Sequence, residues 1–186
     1  MNSSACKVRR EQSNMNRTLQ IERLLDADIE QAKQFALASR LLLFPEVYQS
    51  AIPADIVHFQ RLYLEHDLGC FIVAKSADRI IGSVAYRAYD GHFRLPMSQH
   101  LSTVEVVKLF VDPDYRRQGI ANALYQCLFE HAQAVQIEQL YLHTHPFLPA
   151  AEYFGQKHGF QQIKREWIAQ YDTIHMQRLL SACSAT

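Results

Sequence analysis

The sequence predicts a mixed α/β (α+β) fold, a mostly antiparallel sheet of about six or seven strands with about four helices. Three observations carry this. An apolar, β-branched run at 104–111 feeds a basic turn and then a helix-periodic segment at 120–135. Two strand-like runs, 70–75 and 80–89, are separated only by Ser76-Ala77-Asp78-Arg79, which makes them an antiparallel hairpin. Two further runs, 161–170 and 171–178, follow a short helical stretch at 149–158 and read as closing antiparallel strands.

The first 17 residues are polar and aperiodic and read as a flexible tail, with a single domain over 18–186. TLQIER at 18–23 alternates and gives the first strand. Asp26 or Asp28 is the candidate cap for a helix carrying Ile29, Ala32, Phe35 and Ala36 on one side. The apolar stretch 40–53 is broken by Pro45 and Pro53. Residues 54–66 read as a second helix, ended at Leu68-Gly69. Gly82 inside the 80–89 strand indicates a bulge or a close backbone approach. Residues 90–102 form a loop.

In the 104–111 strand, alternation sets Glu105, Val107, Leu109 and Val111 against Val106, Lys108 and Phe110. Asp112-Pro113-Asp114-Tyr115 stops it, because proline cannot donate to a ladder. Ile120, Ala123, Leu124, Cys127, Leu128 and Val135 then recur at helical spacing, and 139–144 is another strand.

Composition narrows the function. Nineteen basic and nineteen acidic side chains leave no net charge, which removes the usual argument for a nucleic-acid or membrane-surface partner. No apolar run reaches the roughly 18 residues of a membrane span, and the N-terminal stretch lacks the apolar centre of a signal peptide. Cys6, Cys70, Cys127 and Cys183 are scattered without a CxxC pair and read as reduced thiols of a cytoplasmic protein.

The strand–turn–helix at 104–134 has a chemical use. The first amides of a helix lack partners within it, and its dipole favours an anion there. Gly119 permits close backbone approach, Ala121 is small, and Arg116 and Arg117 are cationic, so the turn suits a phosphate or pyrophosphate. An ordinary strand–turn–helix with two solvated arginines is the alternative.

Arg116-x-x-Gly119-x-Ala121 follows a strand ending Leu109-Phe110-Val111-Asp112-Pro113, with Lys157-His158-Gly159-Phe160 downstream. This combination resembles the acetyl-CoA-binding motif of the GNAT (N-acetyltransferase) superfamily. The resemblance implies a GNAT-like sheet and acetyl-CoA as cosubstrate. It also implies direct acetyl transfer to a primary amine of a small molecule or peptide, without a metal. The backbones of Leu109, Phe110 and Val111 would take the pantetheine arm as another strand would. The pyrophosphate would lie against Arg116, Arg117, Gln118, Gly119, Ile120, Ala121 and Asn122. Phe44, Tyr48 and Ile52 are candidates to face the acceptor, with core packing as the alternative.

Acyl transfer needs a neutral amine, a polarised carbonyl and a protonated leaving thiolate. Glu105 is the candidate general base, the alternatives being a substrate-binding or solvated carboxylate. The tyrosine many family members carry four residues before the Gly-Phe pair is Gly155 here, and the asparagine found earlier in that helix is Leu148. Tyr153 substitutes as the acid, or another group or water does, or the thiolate leaves unassisted. His143-Thr144-His145 puts two imidazoles on one face with no third metal ligand marked, and His145 is a further candidate acid or base. A non-catalytic acyl-CoA-binding regulatory module is the alternative function. A nucleotide enzyme is disfavoured, because neither G-x-x-x-x-G-K-[ST] nor G-x-G-x-x-G occurs. The end strands at 167–178 are candidates for pairing in a homodimer.

Overall fold

The computed structural model describes residues 8–10, 19–45 and 51–180. Of the segment expected to be a tail, Val8–Arg10 (β1) pairs antiparallel with Leu19–Arg23 (β2), Val8 opposite Ile21. The rest of that segment, Tyr48, Cys6 and Cys183 lie outside the described residues. The chain forms two compact units. One contains the described residues up to Arg87 with Val107–His131, the other Ala88–Val106 with the described residues from Ala132 onward.

The first unit orders its strands β1, β2, β3 (Cys70–Ser76), β4 (Arg79–Ala88) and residues 107–111 of β5 (Thr103–Val111). Helix α1 (Ile29–Leu43) buries Ile29, Ala32, Ala36 and Ser39, one face at helical spacing. Asp28 sits at its N-cap but forms no cap bond. Its carboxylate pairs instead with Lys75 Nζ at 2.7 Å, a charge-assisted bond that outcompetes a backbone amide, and Asp26 lies in the preceding 3₁₀ turn. The helix expected over 54–66 is distorted at His58 (φ −100°, ψ 29°) into α2 (Ala54–Val57) and α3 (Phe59–Tyr63). Phe59, Tyr63 and Phe71 pack ring on ring, with centroids 4.9–5.5 Å apart. Helix α4 (Ile120–Ala134) buries Ile120, Leu124, Cys127 and Leu128. A Cβ on Gly82 would meet Leu124 Cδ1 at 3.0 Å and Phe110 O at 3.4 Å, so this glycine marks the close approach of α4 to the sheet.

The β4–β5 ladder carries a bulge. Tyr89 N–H donates to Thr103 O at one end and Asp112 N–H to Ile81 O at the other. Eight steps of β4 therefore face nine of β5, and the extra residue is Lys108, at φ +59°. Val107 packs on the α1–α3 core, Lys108 Nζ reaches Asp55 of α2 at 2.7 Å, and the Phe110 ring meets Phe35 of α1 at 5.8 Å. All three face one layer. The strict alternation of Val107, Leu109 and Val111 against Lys108 and Phe110 is thus overturned, because an inserted residue shifts the pleat by one.

The second unit orders residues 103–106 of β5, then β6 (Gln139–Thr144), β8 (Tyr171–Leu179) and β7 (Gln161–Ile168), with α5 (Pro149–Lys157). β5 and β6 are parallel, and their ladder ends at Glu105 opposite Tyr141. The β6–β8 and β7–β8 pairs are antiparallel. Leu142 pairs with Met176, and both lie against Gly155 of α5. The next pair, His143 with His175, therefore belongs to the opposite face. The architecture is the mixed, mostly antiparallel α/β arrangement expected. Among the described residues, β1 is an additional strand, and the split at His58 makes five helices of four. None of them is long and apolar enough to cross a membrane.

Candidate active site

The first unit holds the strand–turn–helix. The hydrogen bond from Asp112 N–H to Ile81 O points residue 112 at β4, and the Phe110 carbonyl points the same way. Alternate residues of a strand offer their polar groups to opposite edges, so Leu109 and Val111 face away from β4. Phe110, expected to offer its backbone as well, has its carbonyl beside Gly82 of β4 and its ring packed on Phe35. The Val111 carbonyl accepts from Arg116 Nε at 3.0 Å, and the Arg116 guanidinium lies 5.3 Å over the Phe110 ring. Arg116 thus braces the strand end, and both Arg116 and Arg117 are exposed cations of the turn.

Asp112 carries its own local bond, accepting from Asp114 N–H at 3.1 Å, and pairs with Arg79. Arg117 (φ +62°) and Gly119 (φ +78°) both adopt left-handed backbone. Gly119 O accepts from Ala123 N–H, which makes Gly119 the residue that opens α4. Gln118, Gly119 and Asn122 are exposed, Ala121 is half-buried and Ile120 is buried as the helix anchor. The first amides of α4 thus sit at an accessible helix start. The cradle fits a pyrophosphate, since glycine relieves the strain a Cβ would bring at that φ.

The second unit holds a face of ionisable and aromatic side chains. Glu105 is 1% exposed, and its Oε1 lies 3.0 Å from His143 Nδ1. His143 is partly exposed, at 32% of its side chain. Across the ladder from it, buried His175 takes a hydrogen bond on Nδ1 from Tyr141 O–H at 2.7 Å. His175 Nε2 lies 3.3 Å from Glu166 Oε1 but lacks the alignment of a hydrogen bond. Burial pushes His175 down to about 4, with the charge of His143 acting in the same sense, so its contact with Glu166 at neutral pH is not an ion pair. Burial raises the Tyr141 phenol, and the negative charge of Glu105 adds to this.

His145 donates from Nδ1 to Asp172 O at 3.0 Å and stacks on Phe147 with centroids 5.1 Å apart. Burial holds it below its ordinary value, so it is a neutral imidazole at pH 7. Its ring centroid is 6.1 Å from that of His143. Phe93, in the loop after β4, edges onto His143 and His175 at 5.5 and 4.9 Å. The Phe93 carbonyl is held by Tyr89 O–H. Among the described residues no group of three or more His, Cys, Asp or Glu side chains is placed to hold a metal.

The model of the acetyltransferase (GNAT) family matches residues 23–160, most of the chain. The chain belongs to the GNAT family. Among the curated relatives that match the GNAT chain in sequence are two N-acetyltransferases. Human N-acetyltransferase 8 is 27% identical over 117 residues, 63% of this chain and 49% of the relative. Rat (Rattus norvegicus) N-acetylaspartate synthetase is 27% identical over 115 residues, 62% of this chain and 36% of the relative. The matched region spans half or less of these relatives' own lengths.

In fold, the GNAT chain resembles a GNAT acetyltransferase of Staphylococcus aureus Mu50. The TM-score is 0.68 at 22% identity, covering 88% of this chain and 99% of that one. It also resembles the PaiA N-acetyltransferase of Thermoplasma acidophilum, solved with coenzyme A. That TM-score is 0.61 at 18% identity, covering 87% and 99%.

At the position of the family's tyrosine, this GNAT chain packs Gly155 against Met176 Sδ, 3.2 Å from where a Cβ would stand. Tyr153 points elsewhere and is 68% exposed. Residue spacing does not point to His143 as the partner of Glu105. The parallel register sets Glu105 beside Tyr141, and His143 is the next residue on that face of β6. Two residues along one strand and a partner strand far away in sequence cannot be joined by spacing alone.

Proposed function

We propose that this chain is an acetyl-CoA-dependent N-acetyltransferase that passes the acetyl group directly to a primary amine of a small molecule or peptide. The observation that carries this is the single stretch from Leu109 to Asn122. Strand groups that face away from β4 run directly into a glycine-opened helix start. The backbones of Leu109 and Val111 hold the pantetheine arm as a strand partner would. The amides from Arg117 to Asn122, with Arg117's charge, hold the pyrophosphate. An N–H of the Leu109 region polarises the thioester carbonyl.

Glu105 belongs to the proton-handling group, and Tyr153 or water returns a proton to the leaving sulfur. Zero net charge supports a small-molecule or peptide acceptor over a nucleic acid or a membrane surface. The buried free thiols of Cys70 and Cys127 support a reducing, cytoplasmic setting.

Titration calorimetry with acetyl-CoA, using dephospho-CoA and ATP as comparators, tests the cosubstrate. Selective binding of acetyl-CoA is expected, and equal or absent binding overturns the reading. Thiol release with a panel of primary amines then tests turnover. Binding without release from any amine marks a regulatory acyl-CoA module instead.

A further inference from the structure

The carboxylate that composition and position single out is not the group that meets the amine. Glu105 is enclosed, with 1% of its surface exposed, so an acceptor nitrogen has no direct approach to it. What it does touch is His143, whose Nδ1 lies 3.0 Å from its Oε1. An ionised carboxylate only accepts hydrogen bonds, so Nδ1 carries the proton and Nε2 keeps its lone pair. Nε2 has no hydrogen-bond partner among the described residues, and the His143 ring is the partly exposed member of the pair. We infer that His143 is the base that meets the acceptor amine, through Nε2, and that Glu105 is the positioning residue that fixes its tautomer and orientation. This rests on the acetyltransferase reading and deepens it.

The surroundings suit that division. The groups facing the His143 ring are Glu105 from β5, Tyr141 and His145 from β6, His175 from β8, and Phe93 from the loop after β4. His145 and His175 are both neutral near pH 7, the Tyr141 hydroxyl is engaged with His175, and Glu105 is the carboxylate in contact with the His143 ring. Phe93 shields the ring on one side.

The protons balance as follows. The acceptor arrives as an ammonium ion and gives one proton to Nε2, leaving a neutral amine. Its nitrogen lone pair forms the C–N bond, the C–S bond breaks, and sulfur leaves with the bonding pair. The second nitrogen proton ends on that sulfur, and His143 returns the first to solvent.

The test combines two readouts. Nitrogen-15 spectra of histidine-labelled protein, with the signal assigned by its loss in His143→Gln, are expected to show the Nδ1–H tautomer at neutral pH. Glu105→Gln is expected to abolish that preference. Thiol release from acetyl-CoA is followed with spermidine, aspartate, a lysine-containing peptide and a peptide with a free N-terminus. His143→Ala should lose about 10²–10⁴-fold in kcat, the scale of a lost acid–base group, with acetyl-CoA affinity by calorimetry within about threefold. Added imidazole should restore part of the rate, which a merely structural histidine would not allow.

Full turnover in His143→Ala, or an Nε2–H tautomer at His143, overturns the inference while leaving the cosubstrate reading intact. If the unsubstituted protein neither binds acetyl-CoA nor releases thiol, the acetyltransferase reading fails instead. The tautomer then still decides whether Glu105 and His143 form the pair described.

Discussion

Gly155 offers a direct probe of why the family's tyrosine is missing. A Cβ there would stand 3.2 Å from Met176 Sδ, 3.4 Å from Met176 Cε and 3.7 Å from Leu142 Cδ2. Met176 is fully buried, so it yields only by repacking under α5. Gly155→Ala sets two effects against each other. Removing a glycine from a helix favours folding by about 0.5–1 kcal/mol, and a contact a few tenths of an ångström too short opposes it. The methionine is flexible at the point of contact, so the net should lie within about 1 kcal/mol of zero. Gly155→Tyr has no such escape, because a whole ring must enter a filled layer. Overpacking of that size costs about 3 kcal/mol, the upper end for core insertions, and should lower Tm by roughly 6–12 °C in a chain of this length. Thermal melts of the three proteins, with thiol release on the same samples, read both consequences. A Gly155→Tyr protein that melts with its parent and turns over faster would refute the packing argument, since α5 would then have room for the acid the family carries there.

Gly119→Glu places a charged side chain at φ +78° on the accessible start of α4, and should abolish acetyl-CoA binding by calorimetry while circular dichroism stays native. At Lys108, valine should weaken acetyl-CoA binding more than tenfold and glycine by less than about threefold. A β-branched residue resists φ +59°, whereas glycine keeps the bulge, and equal losses would mean that the Asp55 contact matters more than the backbone. His175 is protonated in the unfolded chain from about pH 6.5 downward but in the folded chain only near 4, so acidification between those values should cost about 2 kcal/mol of stability. Denaturant midpoints across that range should fall in the parent and flatten in His175→Gln, which keeps an acceptor for Tyr141.

What the sequence shows and hides follows from the range of the forces involved. The turn from Asp112 to Ala121 was legible because its determinants are local: a proline stop, a glycine at positive φ and the start of an amphipathic helix. The α1 face was legible for the same reason, since Ile29, Ala32 and Ala36 lie within two turns. The cap at Asp28 was not, because Lys75 is 47 residues away and its charge outbids a local amide. The bulge at Lys108 was hidden in the same way. Nothing in VEVVKLFV announces a left-handed lysine, and the residues that hold it come from three other elements. Asp55 takes its ammonium, Tyr63 donates to the same carboxylate, and Ser83 donates to its carbonyl.

That last arrangement is more than a local irregularity. A non-glycine residue in left-handed backbone costs about 1–2 kcal/mol, so the surroundings must over-determine it. The surroundings here are charge-assisted. Burial works against ionisation of Asp55, yet Lys108, Tyr63 and Arg87 together hold its carboxyl below the ordinary range, and it remains an anion at any pH at which the chain is folded near neutrality. The inserted residue redirects Leu109 and Val111, setting which edge their polar groups face over the last turn of the strand. The strain at one lysine, held by an aspartate on α2, is thus the physical origin of the strand edge on which the proposed cosubstrate site depends.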